Sequence, residues 1–442
     1  MEGFVQRKRR KLSTELRPPI VSNKRINDDD DHGVEQSTDF KLAILASLHP
    51  DKSHDTLLDY LLASDGSVER ACNALSPPRE DPVRKHPAVI GYQSSLASFA
   101  QSGTKGSSTV DPKQLTKKGK TLYLYSSKDI EKHSPCSIIH NFLPSGQADS
   151  LLRELLNEAP TFRRETFQLF NRTVESPHTM RLYVDGSQEV DAQKTQYTYN
   201  GSYITDVAET KPEMLKVSLL VMETVNREIH RRGLKLKFQS SDPWKPNASF
   251  VNCYDGGKES VGYHSDQLTY LGPRAVIGSL SLGVAREFRV RRIVPPAEDS
   301  RGKGTQQADE QGQISIHLPH NSLLIMHAEM QEEWKHAVAP AQTITPHPVS
   351  KNKRLNITYR CYQPYLHPKY TPQCKCKVPA VLRCVQKRAA TRGMYFWQCH
   401  AGYTPGQTGC TYFEWASFDE DGRPPWAEGY KGNANIAAVA TA

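Results

Sequence analysis

The heptapeptide Arg354-Leu355-Asn356-Ile357-Thr358-Tyr359-Arg360 limits the possible folds of this chain more than any other stretch. Successive side chains of a β-strand point to opposite faces. Leu355, Ile357 and Tyr359 therefore share one face, and Arg354, Asn356, Thr358 and Arg360 share the other. Two readings fit. One is a solvated edge strand. The other is a strand whose polar row points into the protein and meets an anionic ligand, because buried guanidinium and amide groups are costly without partners. A dicarboxylate would satisfy the second.

Upstream, Ser249–Asp266 (SFVNCYDGGKESVGYHSD) ends in His264-Ser265-Asp266. On a strand, residues i and i+2 share a face, so one nitrogen and one oxygen can grip a single metal ion. A second histidine would complete the 2-His-1-carboxylate arrangement, which leaves positions open on a non-haem Fe(II). By itself, His-x-Asp also describes a solvated strand or a hydrogen-bonded couple. The candidates for the third ligand are His336, within Trp334-Lys335-His336-Ala337-Val338, and His327, beside the apolar Leu323-Leu324-Ile325-Met326 run. The spacing leaves both open.

With 442 residues the chain is long enough for two or three domains. Its net charge of +9 favours polyanionic partners such as nucleic acid. A hydrophobic content of 37% with 29 prolines implies that a good part of the chain is linker. No apolar run approaches the roughly 20 residues of a membrane span, and the basic N-terminus lacks an apolar leader core, so no membrane association is expected. Cysteines crowd into Cys374–Cys410, which reads as a local metal site inside the cell rather than a secreted disulfide framework.

Residues 1–37 form a charged N-terminus, with Arg7-Lys8-Arg9-Arg10-Lys11 suited to nuclear import or phosphate contact, or to a plain solvated tail. Residues 38–76 carry three short helical patterns. The first holds Phe40, Ile44, Leu45 and Leu48, the second Leu57, Leu58, Leu61 and Leu62, and the third spans Val68–Leu75. This stretch resembles a ubiquitin-binding CUE module, with Leu48-His49-Pro50 near that family's Met-Phe-Pro. A helical bundle without a binding role fits equally. Residues 77–118 are a flexible linker. Within it, Gln93-Ser94-Ser95-Leu96-Ala97-Ser98-Phe99-Ala100 resembles the box that binds the DNA sliding clamp, with Ala100 where a second aromatic is usual.

Residues 119–367 follow a different pattern, with an amphipathic helix at Ser145–Leu156 and short strands at Phe250–Tyr254, Val276–Leu282, Glu287–Val294, Ser322–Met326 and Leu355–Tyr362. No dinucleotide fingerprint or alternating βα pattern appears. A mainly β jelly roll (a double-stranded β-helix) is therefore expected, with a small all-α module before it and a small zinc-bound β module after it. Pro295–Gln313 reads as a surface insertion.

Taken together, these residues resemble the AlkB family of Fe(II)/2-oxoglutarate dioxygenases, and more closely its nuclear DNA-repair branch. The resemblance runs from Phe142-Leu143-Pro144 to Arg360. It rests on Asn252-Cys253-Tyr254, His264-Ser265-Asp266, Ser279–Gly283 with Arg286-x-Phe288, Trp334-Lys335-His336 and Arg354-x-Asn356-x-Thr358-x-Arg360. It implies that His264, Asp266 and His336 hold Fe(II), since His327 has no counterpart in the family. It also implies that Arg354 and Tyr254 secure the distal carboxylate of 2-oxoglutarate, with Asn252, Asn356 and Arg360 at its iron-proximal end. The implied reaction removes N-methyl groups from alkylated bases in DNA, flipped out of a duplex or single-stranded, and releases formaldehyde, succinate and carbon dioxide. His178 and Met180, with Tyr197 and Tyr199, occupy the stretch where relatives recognise the nucleotide. Leu268 stands where DNA-repair relatives carry an acidic residue.

Cys374, Cys376, Cys399 and Cys410 are spaced for one tetrahedral Zn²⁺, with Cys384 as a substitute ligand or spare thiol. The 371–418 segment resembles the GRF zinc finger, with Met394 in place of that motif's arginine. Lys375, Lys377, Arg383, Lys387, Arg388 and Arg392 interleave with Tyr395, Phe396 and Trp397, a combination that suits single-stranded nucleic acid. A structural knuckle whose aromatics form its own core is the alternative. Residues 419–442 read as a disordered tail. The leading expectation is a nuclear DNA-repair dioxygenase. An RNA demethylase, and a ubiquitin- and DNA-binding adaptor without turnover, are the alternatives.

Overall fold

The computed structural model describes residues 120–432 except 170–171, 200–201, 295–311 and 405, together with Leu45, Lys52, 54–64 and 68–75. The chain divides into two units, Met1–Pro77 and Pro78–Ala442. In the first, helices α1 (His54–Ala63) and α2 (Val68–Leu75) bury Leu57, Leu61 and Ala71 against Leu45, with Leu75 at the rim. These are the second and third expected helices. The Arg7–Lys11 run, Leu48-His49-Pro50, the Gln93–Ala100 box and most of the 295–313 insertion lie outside the described residues.

The second unit begins with β1 (Thr121–Leu124), α3 (Ser127–His133), β2 (Cys136–His140) and α4 (Ser145–Glu158). It continues through β3 (Thr166–Leu169), β4 (Arg172–Glu175), β5 (Thr179–Val184), α5 (Ser187–Gln196), β6 (Thr198–Tyr199), β7 (Ser202–Tyr203), β8 (Val207–Glu209) and α6 (Pro212–Arg232). Then follow β9 (Ala248–Asp255), β10 (Val261–His264), β11 (Ile277–Gly283), β12 (Arg286–Arg292), β13 (Gln313–Leu318), β14 (Ser322–Met326), α7 (Met330–Glu333), β15 (Trp334–Val338) and β16 (Lys353–Arg360). The last three strands are β17 (Val381–Cys384), β18 (Tyr395–Gln398) and β19 (Phe413–Ala416). Every strand expected from the sequence lies within two residues of an observed one.

Two sheets form the jelly roll, one ordered β1-β13-β12-β15-β10 and the other β2-β14-β11-β16-β9-β5-β8. Between them lies an apolar core that includes Ile316, Phe288 and Val290 from the first sheet and Ile138, Ile277 and Leu324 from the second. The outer face of the larger sheet is covered by α4 and α6 through Leu151, Leu152, Leu155, Val217, Val221 and Val225. Leu355, Ile357 and Tyr359 of β16 pack into that outer layer, so Arg354, Asn356, Thr358 and Arg360 point inward between the sheets. The inward reading of the heptapeptide holds, and the solvated edge strand does not.

Helix α6 was not among the expected elements, although its signals are present. Pro212 stands at the helix start, Met214, Val217, Val221 and Val225 form one stripe, and Gly233 at φ 61° ends it.

Two domain boundaries are corrected by the structure. The 371–418 segment is not an independent finger: Leu382, Tyr395, Trp397 and Phe418 belong to the same apolar cluster as Leu268, Leu271 and Trp334 of the jelly roll. Residues 419–432, expected as disordered tail, instead form a strap packed on the core. The Asp419 carboxylate accepts hydrogen bonds from the backbone of Asp421, Arg423 and Lys431. Arg423 pairs with Asp242 at 2.9 Å, and the Trp426 indole donates to the Tyr365 carbonyl at 2.8 Å. The segment's polar composition concealed this, since the partners of Arg423 and Trp426 lie about 180 and 60 residues away in sequence. Among the described residues, no helix is long and apolar enough to cross a membrane.

Trp397 is fully buried in the shared cluster. Trp397→Ala is expected to cost about 3–5 kcal/mol and to lower a single cooperative transition of the second unit in a denaturant melt. A separate early transition, with the jelly-roll step unmoved, would show the two parts to be independent.

Candidate metal centre and cosubstrate pocket

The antiparallel pairing of β10 and β15 sets His264 directly opposite His336. Asp266 follows β10, and its Oδ1 lies 3.7 Å from His264 Nε2 and 3.2 Å from His336 Nε2. The three donor atoms fall within 4.8 Å of one another. His264 Nδ1 is 2.8 Å from the Gly262 carbonyl, which fixes that nitrogen as the N–H and leaves the Nε2 lone pair for the centre. His327 is elsewhere, with its Nε2 2.8 Å from Ser137 Oγ. The structure therefore chooses between the two histidines.

The second oxygen of Asp266 is engaged by Arg360, whose Nε and Nη2 donate at 3.1 and 2.7 Å. The Asp266 backbone N–H donates to Gln331 Oε1 at 2.7 Å. Burial alone would raise the Asp266 carboxyl, but Arg360, His336 and His264 more than offset it, so the group stays well below the usual carboxylate range. The cavity walls, together with neighbouring His336, push the His264 imidazole below its usual range. They do so although its side chain is 40% exposed into the opening. An ionised Asp266 carboxylate and a neutral His264 imidazole are states a divalent metal needs.

A cavity of about 650 Å³ opens over this group. On its β16 side Arg354 is fully buried. Its Nη2 donates to Ser281 Oγ at 2.9 Å and its guanidinium lies 5.2 Å from the Tyr254 ring centre, while Nε and Nη1 have no partner. Burial lowers this guanidinium to about 10, yet it stays charged at neutral pH. A buried cation with two unused donors requires an anion, and the distal carboxylate of 2-oxoglutarate fits that requirement.

The other expected cosubstrate residues line the same cavity with different engagements. Asn252 Oδ1 meets His178 Nε2 at 3.1 Å. Asn356 donates to Ser279 Oγ and the Leu280 carbonyl and accepts from Thr358, so its amide orders the strand. Arg360 spends its guanidinium on Asp266.

A family match now joins this geometry: the description "2OG-Fe(II) oxygenase superfamily" covers residues 135–360. The chain belongs to this superfamily. Its members imply Fe(II) and 2-oxoglutarate as metal and cosubstrate, and the His-Asp-His group and the unsatisfied Arg354 fit both. Among curated proteins it is similar to "Alpha-ketoglutarate-dependent dioxygenase alkB homolog 3" of Bos taurus, 28% identical over 58% of this chain and 74% of that protein. The Homo sapiens protein of that name is 32% identical over 30% of this chain and 42% of that one. "DNA oxidative demethylase ALKBH2" of Mus musculus is 26% identical over 48% and 74%. Among solved structures, "The structure of OsALKBH1" is 17% identical with a TM-score of 0.34, covering 52% of this chain and 98% of that one. The oxygenase match ends before the cysteine-rich segment.

On the open side of this oxygenase cavity, His178 stacks on Tyr254 at 4.6 Å, and Met180 and Tyr199 line the wall. Tyr197 does not: it is buried in a cluster with Tyr270, Tyr362 and His367. Glu165, which no motif marked, also lines the cavity, and burial followed by Asp206 raises its carboxyl to about 7. Leu268 is buried in the inter-sheet core, so an acidic residue there would be desolvated.

The sulfurs of Cys374, Cys376, Cys399 and Cys410 form the other group able to hold a metal among the described residues. Cys376 and Cys399 Sγ are 4.0 Å apart, close to the edge of about 3.8 Å in a tetrahedron with metal–sulfur bonds of about 2.3 Å. Cys384 packs against the apolar core and stays out of the group.

Burial lowers His178 to about 4, outweighing its hydrogen bond to Asn252. The unfolded chain therefore binds a proton that the folded chain refuses, and stability falls as pH drops from about 6.5 towards 4. In urea melts across that window, His178→Gln is expected to reduce the slope by up to about 1.4 kcal/mol per pH unit. His264, His327 and His400 are displaced the same way and leave a residual slope. An unchanged slope would contradict a neutral, buried His178.

Proposed function

We propose that this oxygenase removes N-methyl groups from alkylated bases of single-stranded or locally opened DNA. The observation that carries the reading is the convergence of His264, Asp266 and His336 beneath a cavity whose wall holds the unsatisfied Arg354. The relatives named as alkB homologues and DNA oxidative demethylases support the substrate class. So do the cavity's size and its His178 and Tyr199 rings, which suit a flat base. A nuclear location would follow from the substrate and from the Arg7–Lys11 run.

Bound Fe(II), with 2-oxoglutarate and O₂, supplies oxidation of the methyl C–H bond, and the hydroxymethyl product releases formaldehyde. The chain's own residues supply placement. Asp266 Oδ1 and the two histidine Nε2 atoms would occupy one side of the metal, with Arg360 holding Asp266 in the orientation that presents Oδ1. Arg354, backed by Ser281 and Tyr254, would seat the distal carboxylate of the cosubstrate. The His178–Asn252 contact keeps the His178 ring parallel to Tyr254, and the buried walls exclude water from the reacting methyl group. The Cys374–Cys410 group is read as a structural Zn²⁺ site.

The test is anaerobic reconstitution with Fe(II) and 2-oxoglutarate, exposure to oxygen, and mass spectrometry of methylated DNA and RNA strands. Loss of the methyl mass from DNA, absent in His336→Ala, is expected. Demethylation confined to RNA would move the substrate to RNA, and succinate without demethylation would discard the substrate. Two further outcomes follow. Arg360→Gln should weaken Fe(II) affinity about 10- to 100-fold in a chelator competition, because it frees the second oxygen of Asp266. Native mass spectrometry should find one zinc that Cys399→Ser loses; retention of the zinc would reject the four-sulfur site.

A further inference from the structure

We propose that the outward face of the β17–β18–β19 sheet is a track along which the nucleic-acid strand leaves the catalytic cavity. Arg383 would hold a phosphate at its start, and Phe413 and Trp415 would stack the bases beyond. The proposal rests on the nucleic-acid reading above and adds the course of the flanking strand.

The register assembles the track. Arg383 pairs with Phe396, and Phe396 with Trp415, so these three form one row across the sheet; Val381, Gln398 and Phe413 form the next row on the same face, with Val381 buried at the cavity end. The opposite face carries Leu382, Tyr395 and Trp397 into the shared core, which fixes the sheet against the jelly roll. Tyr395 and Trp397 are thereby withdrawn from any nucleic-acid contact, and the exposed aromatics take their place.

The inner end of the row opens into the catalytic cavity. Arg383, His400 and Tyr403 line it together with His264, Asp266 and His336. Arg383 Nη2 lies 3.3 Å from the Tyr403 hydroxyl and its guanidinium 5.5 Å from that ring, while its buried Nε has no partner. A guanidinium with an unused buried donor, facing a cavity that would hold a nucleotide, is a phosphate site. The turn Ala401–Tyr403 lies against strand β3, so the entrance is bounded on its other side by the β3–β4 hairpin.

At the outer end, Phe413 is 52% and Trp415 43% exposed. Phe396 stacks on Phe413 at 5.1 Å, and Trp415 stands edge-on to Phe413 at 5.0 Å. With strands about 4.8 Å apart, the row from Arg383 to Trp415 spans about 10 Å without a break. Exposed aromatic faces next to a cation are the surface a single strand uses regardless of sequence. An apolar protein partner would leave the Arg383 donor unsatisfied, which is why an anionic strand is preferred.

The full chain, loaded with zinc and Fe(II) without oxygen, can be titrated with unmethylated single-stranded DNA or RNA by fluorescence anisotropy at several salt concentrations. Arg383→Gln should lower the log–log salt slope by about 0.7, the share of one phosphate contact on a single strand. Trp415→Ala should weaken binding about 5- to 100-fold while leaving that slope in place. In turnover, each variant should lose at least tenfold more on a methylated strand than on the methylated mononucleoside, which has no flanking strand. Unchanged slope and affinity, or equal losses on strand and mononucleoside, would overturn the track. Absence of demethylation with the binding pattern intact would sink the demethylase reading and keep the track. Demethylation with no effect of either variant would do the reverse.

Discussion

The ion pair between Arg360 and Asp266 is the contact on which the centre depends. A carboxylate buried beside two imidazoles could turn either oxygen inward, or take up a proton and lose its charge. The guanidinium, on one oxygen at 2.7 and 3.1 Å, prevents both. It can do so because β16 runs through the middle of the larger sheet, paired with β11 and β9, while α4 and α6 press on its other face. Removing one partner of such a buried pair leaves an uncompensated charge, an effect of about 3–5 kcal/mol. The outer layer of helices thus has a direct chemical consequence: it holds the strand that holds the ligand.

The cysteine-rich segment belongs to the same construction. Gln386 donates to Ser265 Oγ, between His264 and Asp266, and to the carbonyl of Gln331, whose side chain holds the Asp266 backbone. The Leu382 backbone donates to Thr269, and Tyr395 donates to Glu332 at 2.9 Å. The loop carrying Asp266 is therefore buttressed from outside the oxygenase match, and Leu268 supplies the apolar contact that a carboxylate would not.

Several features were legible in the sequence because they depend on short spacing. His264 and Asp266 sit two apart, although the strand ends at His264, Arg354 to Arg360 alternate, and four cysteines are clustered. Each follows from the two-residue period of a strand or from ligand chemistry, and the apolar alternation likewise marked the strands within two residues. What spacing could not decide was every partner set by register between distant strands. His336 over His327, the pairing of Arg360 with Asp266, and the burial of Tyr197 with exposure of Phe413 all depend on which strand lies beside which. The ordering of 419–432 depends on Asp242 and Tyr365, remote in sequence, and the union of the cysteine segment with the jelly roll depends on a core assembled from both. Local periodicity says which face a side chain takes; only the packed sheets say what that face meets.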